Sequence, residues 1–449
     1  LTCSLAGTIA LTTLVPSKLH ALSLIRDAET EDLIRDYARP IFRVAGLSQQ
    51  NIRIHIVNNR NFNAFVVDGQ NMFIHSETLK QSKTPNQLIG VIAHETGHIE
   101  GGHLSRLRQT LVKAQSASIM LQILGIAAIA AGALAGGSVP GGAGAAGMLA
   151  GQTVTQRAVR AYQRSEESSA DQAAVRYLNA TKQSAQGMLE TFSRFDDQQL
   201  FSRQYIDPYA QSHPMPRQRI VQLQELARRS PYYKNQDDPK LQLRHDLMRA
   251  KLAGFLEAPS TVFSKYPKSS TSMPARYARS IVLFNKYRDL KGFLREIDEL
   301  IRLDPDNPYF YELKGQFLSE AGQATRAIPP LRKAVTLSPK TGLIRIQLAK
   351  ALLDSNQPRL VDEAINHLTK AIVTEEKTLP DGYLQLAIAY GRKGQQAQAA
   401  LASAHHYLYQ GRLKDAKQQA KRAQAKFQRG SPNWLKADDI LNFQPPKIR

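Results

Sequence analysis

Residues 84–103 read TPNQLIGVIAHETGHIEGGH, and this run constrains the chain more than any other. Thr84 is suited to cap a helix, Pro85 to open its first turn, and Gln87 stands three residues after the cap. An apolar helical pattern follows, and the helix is predicted to run to about Gln115. Into it are set three histidines and two glutamates within ten residues.

His94-Glu95-Thr96-Gly97-His98 places two imidazoles four residues apart. On a helix such positions lie about 40° apart around the axis, so both rings project from one face and can grip one metal ion. Glu95, beside them, is able to take a proton from water. Five-residue patterns occur by chance; here the capping signal predicts the helix independently.

A third ligand is required. On a continuous helix His103 points about 140° away from His98, so it is read as an ordinary helix histidine. Leu104 occupies the position where a third histidine of a longer motif would fall, and Met215 therefore marks no Met-turn. The better candidate is EESSAD, 166–171. Glu167 and Asp171 share a helix face: Glu167 can ligate, and Asp171 can accept a hydrogen bond from the far nitrogen of a ligand histidine. Glu166 lies some 100° round the helix and is read as a solvated charge.

Around this site the elements alternate. Residues 24–50 carry helical spacing, 51–57 alternate as a strand, and 62–79 read as a hairpin about Asp68-Gly69-Gln70-Asn71. Residues 156–178 and 212–226 return to helix, the second after a turn. Between Ala114 and Gln156 no residue is charged. That stretch is too glycine-rich for a complete two-span hairpin. It fits a loop dipping into a membrane leaflet or covering the site, or a buried Ala/Gly-rich helical pair.

The last third is repetitive. Pro305 and Pro339 are 34 residues apart, with Gly315, Ala327 and Ala334 in the small-residue places of a tetratricopeptide repeat. Ala364 and Ala371 take the same roles in the next unit, and 381–400 starts another. Stacked helix pairs of this kind form a concave groove suited to binding protein segments. The final helix is placed at 412–429, with seven Lys/Arg and one Asp.

At 449 residues, two or three domains are expected, and one cysteine excludes an intrachain disulfide framework or Cys-based metal site. The net charge of +21 invites a nucleic-acid reading, but no nucleic-acid-binding motif supports it. A basic exported protein near anionic surfaces or acidic clients fits better. Residues 4–15 are apolar and uncharged, then Pro16, Ala21 and Ser23 follow. They read as a secretory signal, with a buried N-terminal helix as the alternative.

HETGH, ESSAD and HPMPRQRI together resemble the signature of the gluzincin family of HtpX-type and CAAX-prenyl-type proteases. The repeat tail and leader make the chain similar to its periplasmic branch. The resemblance implies an α+β fold: a mainly helical zincin-type domain with a small sheet, followed by a helical repeat solenoid. It divides the chain into a signal peptide (1–23), a metalloprotease domain (24–235, with 114–156 as a membrane-dipping or plug loop) and a repeat domain (240–435). It implies one zinc ion per chain on His94, His98 and Glu167, with Glu95 as general base. It also implies a substrate-binding edge strand at 63–75, and His213 as a fourth ligand that restrains the enzyme. Arg219 matches a family arginine that contacts substrate or a carboxylate. Implied partners are misfolded or stalled outer-membrane proteins and their assembly machinery, docked through the repeats, with peripheral membrane contact and no nucleic acid. Two rivals stand beside this endopeptidase: a repeat chaperone or scaffold with latent proteolysis, and an integral-membrane quality-control protease.

Overall fold

The computed structural model describes residues 23–47, 52–67, 69–103, 106, 163–201, 209, 213–214, 216–374 and 379–445. The signal at 1–22, the uncharged stretch at 114–156 and Met215 lie outside them.

The chain enters as a short strand, β1 (Leu24–Ile25), ahead of helix α1 (Ala28–Val44), so the segment first read as all helix is divided. Asp27 caps α1, its side chain accepting from the Thr30 amide. Three strands and a short helix follow: β2 (Arg53–Val57), β3 (Ala64–Val67), β4 (Asn71–His75) and α2 (Ser76–Gln81). The hairpin forms as its turn residues require, with Gly69 at φ 74°. The sheet order is β1-β2-β4-β3, and β2 pairs in parallel with β4. This leaves β3 on the edge among the described residues.

The sheet lies on α3 (Pro85–Glu100), whose Leu88, Ile89, Val91, Ile92 and Ala93 enter one core with Ala64, Met72 and Ile74. Thr84 caps α3, accepting from the Gln87 amide at 3.3 Å. The Gln87 side chain accepts from the amide of Lys83, one residue ahead of the cap, at 2.7 Å. The helix stops at Glu100, short of the expected Gln115, because Gly101 and Gly102 turn the chain, Gly102 at φ 61°. Further helices among the described residues of this half are α4 (163–180), α5 (Gln186–Phe201) and α6 (Arg217–Arg228).

Helix α7 (Pro239–Leu256) belongs to both halves. Its Met248 and Leu252 join the catalytic core, while its Leu247 packs with Tyr277, Phe293 and Phe317 of the repeats. From Met273 to Asn442 the chain is helical repeat. Ala327, Ala334, Ala364 and Ala371 are fully buried where the paired helices close on one another. The basic segment expected as a helix over 412–429 forms the helix Leu413–Gln424, and a further helix, Pro432–Asn442, follows it. The Ser431 cap and Pro432 at the first helical position start the second of these, just after Gly430 turns the chain at φ 80°.

A buried charge cluster ties the halves together. Lys251 Nζ on α7 meets Asp27 Oδ2 at 2.6 Å, Glu29 Oε2 at 3.4 Å and Glu312 Oε2 at 3.7 Å. Tyr277 donates to Glu29 at 2.8 Å, and Tyr309 to Asp32 at 2.7 Å. Burial pulls the Lys251 ammonium down, but the surrounding acids hold it well above its usual range. Lys251→Met strands two buried carboxylates and a half-buried third; we expect a loss of about 3–5 kcal/mol in denaturant unfolding. A change under about 1 kcal/mol would mean that the apolar contacts alone set the junction.

Candidate metal centre

Helices α3 and α4 cross in direct contact. A Cβ on Gly97 would lie 2.9 Å from both the Cα and the carbonyl oxygen of Ala170. This approach brings Glu167 and Asp171 beneath the two histidines of α3.

The donor atoms converge. His94 Nε2 lies 3.1 Å from His98 Nε2 and 3.3 Å from Glu167 Oε2. Glu167 Oε1 lies 3.4 Å from His98 Nε2 and 3.1 Å from His213 Nδ1. His213 Nδ1 is 3.4 Å from His94 Nε2. Ligands about 2.0–2.1 Å from a tetrahedral ion stand about 3.3 Å from one another, so these separations fit such an ion. The chemistry fits too. Asp171 Oδ1, 3.0 Å from His94 Nδ1, is placed to accept from an N–H on that side, the tautomer in which Nε2 presents a lone pair to the cluster. Lone pairs facing one another in a buried site call for a cation.

Arg219, at the start of α6, is buried under the ligands. Its Nε and Nη2 meet Asp171 at 2.6 and 2.8 Å, and its Nη1 meets Glu167 Oε2 at 2.7 Å. Of the two contacts expected for it, the carboxylate one is present. Glu95, Glu167 and Asp171 against Arg219 leave two negative charges, the complement of a divalent cation. Burial raises the Glu167 carboxyl, but His213 and Arg219 outweigh it and hold the group well below its usual range. Asp171 is likewise lowered, Arg219 overcoming burial.

Glu95 stands apart. Both its carboxylate oxygens are buried with no hydrogen-bond partner among the described residues. Burial raises its pKa, with His213 and His94 opposing. The Nε2 of His213 lies 3.4 Å from Glu95 Oε1 and 3.3 Å from the carbonyl oxygen of Ala64 on β3. The Tyr209 ring backs His213, with centroids 4.7 Å apart.

Two expectations need correction. The turn at Gly101–Gly102 means that His103 is not carried round a continuous helix. It folds back, its Nδ1 2.8 Å from His98 Nδ1, and stays outside the converging donor set. Glu166 is not a solvated charge: it pairs with His103 Nε2 and Arg106 Nη2, each at 2.7 Å. Gly97 was missed. Its signal was a glycine inside a strong helical pattern, which marks close packing.

Residues 26–227 match the family model described as peptidase family M48. This half of the chain is similar to M48 peptidase domains. A beta-barrel assembly-enhancing protease from Escherichia coli (strain K12) is 25% identical over 406 residues, covering 88% of this chain and 78% of the relative. Its Yersinia pestis counterpart is 23% identical over 401 residues, covering 86% and 77%. Among solved structures, yeast Tom70 aligns with 81% of this chain and 84% of its own at 14% identity; its TM-score of 0.30 is too low to argue from. With the M48 domain and the converging His/Glu cluster together, the protein is a metalloendopeptidase.

Gly97→Ala tests the crossing. Helix propensity alone favours alanine by about 1 kcal/mol. We expect instead that α4 is pushed away and that metal affinity falls at least about tenfold, as for lost support around a ligand set. Competition with a chromophoric chelator measures it; unchanged affinity would show that the close approach is dispensable.

Proposed function

We propose that the chain is a zinc endopeptidase that cleaves unfolded or stalled outer-membrane proteins in the periplasm, with its repeats holding the client or the assembly machinery. The observation that carries this reading is the set of donor atoms of His94, His98 and Glu167 meeting beside a buried Glu95 that takes part in no hydrogen bond among the described residues. The nitrogen and carboxylate donors and their spacing suit zinc. The client class and compartment draw on the names of the relatives and on the expected leader. No helix among the described residues is long and apolar enough to cross a membrane.

Zinc, when bound, supplies Lewis acidity to the scissile carbonyl and to water. Glu95 accepts a proton from water as its oxygen forms a bond to the carbonyl carbon. Glu95 then delivers that proton to the amide nitrogen as the C–N bond breaks. Its raised affinity for protons suits both steps. Asp171 fixes the tautomer and tilt of His94, and Arg219 holds Asp171 and Glu167 in place. The open edge of β3 is where an extended client backbone would add as one more strand.

His213 acts in this reading as a latch. Its Nδ1 takes the fourth position of the donor set, where attacking water must stand. That geometry supports a second mode, in which the repeats hold a client while the protease half is idle.

Three variants test the assignments. Glu95→Gln is expected to cut proteolysis of an unfolded client by about 10²–10⁴-fold while client pull-down is unchanged. Elemental analysis should find one zinc per wild-type chain and little in Glu167→Ala; full occupancy in that variant would remove Glu167 from the site. His213→Ala should raise kcat/KM on an unfolded client with zinc retained, and a fall in both would instead make His213 an obligatory ligand.

A further inference from the structure

The sheet presents two unlike faces. Ala64, Met72, Ile74 and Ile56 point into the core and are buried. On the other face His55, Phe73 and Phe65 stand half-buried in one row across three strands. The register places them side by side: His55 is opposite Phe73, and Phe73 opposite Phe65. The rings stack, 4.8 Å apart at 21° for His55–Phe73 and 5.3 Å apart at 14° for Phe65–Phe73. The inner end is anchored, His55 Nε2 lying 2.9 Å from Asn71 Oδ1. The His75 ring braces Phe65 edge-on at 5.9 Å.

The row advances by about one strand spacing per ring. Its next step falls beyond β3, where no strand pairs among the described residues. The backbone there is oriented to receive one. His75 donates to the Asn63 carbonyl at 2.9 Å, which makes Asn63–His75 a hydrogen-bonded pair. Alternation along the antiparallel ladder then turns the Phe65 and Val67 amides toward β4, and those of Ala64 and Val66 toward the open side. The Ala64 carbonyl is also the group touched by His213, so this open edge runs straight into the catalytic cluster.

We propose that Phe65, continued by Phe73 and His55, is a specificity subsite for an aromatic side chain of the substrate. The subsite rests on the peptidase reading above and names the substrate it takes: an extended segment with an aromatic residue at the position opposite Phe65. A strand added to β3 alternates its side chains between the two faces. Its residue opposite Phe65 therefore projects onto the aromatic row, while its immediate neighbours turn toward the side of the sheet that packs on α3. Backbone pairing holds any extended sequence, and the row selects among them.

The test is a set of fluorescent peptides in which one phenylalanine is moved along an otherwise Ser/Thr-rich, strand-forming sequence around a fixed cleavable bond. Binding is read by anisotropy with full-length Glu95→Gln, and cleavage by kcat/KM with the wild type. We expect one position at which phenylalanine improves both by about threefold to fivefold over serine, the range of a cross-strand aromatic pair. The preference should vanish when Phe65→Ser is added and persist with Phe65→Tyr, circular dichroism reporting that each variant is folded. A positional preference unchanged by Phe65→Ser, or no preference in the binding series, overturns the subsite. Undiminished cleavage by Glu95→Gln would instead overturn the general-base assignment, and the binding series would still decide the subsite.

Discussion

The contact between Gly97 and the Ala170 backbone is the constraint on which the centre depends. Two helices separated by a long stretch of sequence must touch closely enough for a carboxylate on one to stand between two imidazoles on the other. No group in the cluster tolerates burial alone. Asp171 is buried because Arg219 and His94 meet it, Arg219 because it has two carboxylates, and Glu167 because His213 and Arg219 flank it. Buried charges of this kind stabilise only as a complete set, so the geometry is all-or-none: a small displacement of α4 would strand several ions at once. The exception is Glu95, whose carboxylate takes part in no hydrogen bond among the described residues and meets only the His213 imidazole, at 3.4 Å. That concentrates the one unsatisfied carboxylate at the position where a proton must move.

The same logic recurs where the halves meet. Ala28, in the first turn of α1, is counted in the core of the repeats, and Asp27 and Glu29 beside it close on Lys251. Helix α7 contributes apolar residues to both cores and also holds Tyr37 and the Ser82 carbonyl through His245, at 3.1 and 2.8 Å. A junction made of apolar contact alone could slide with little penalty. One built on a lysine among three acids has a single low-energy register. In the proposed reading, a client held by the repeats would be presented at a fixed offset from the catalytic cluster.

How much of this was legible follows from which contacts are local. The pair His94 and His98 and the pair Glu167 and Asp171 are each set by helical spacing, so their shared faces could be read from sequence. Gly315, Ala327 and Ala334 betrayed the repeats because close helix packing leaves a regular trace of small residues. His103 and Glu166 could not be read this way. Gly101 and Gly102 allow the helix either to continue or to turn, and only the His103–Glu166–Arg106 contacts decide it. The end of the chain was different, since Ser431-Pro432 is a start signal for a further helix that the run of basic residues overshadowed. The parallel pairing of β2 with β4, which puts β3 on the edge, is a long-range choice with no local mark.

That strand order gives His213 its double position. One ring nitrogen faces the donor set, and the other lies against Glu95 and the Ala64 carbonyl. A segment that pairs with β3 needs the Ala64 carbonyl, and a reaction needs the position held by Nδ1. Both belong to the same imidazole. An incoming strand that takes the carbonyl removes one of the contacts keeping the ring in place, while the ring, once seated, hinders pairing at the residue nearest the metal ligands. Substrate binding and release of the site are thus coupled through a single side chain, and the coupling is reciprocal as any linkage must be. Short peptides that form few bonds to β3 have little free energy with which to displace His213; long extended segments, paired along the whole edge and held by the repeats, have more. On the proposed function, selection of unfolded over folded protein would follow, because only a chain free to extend can offer that edge a strand.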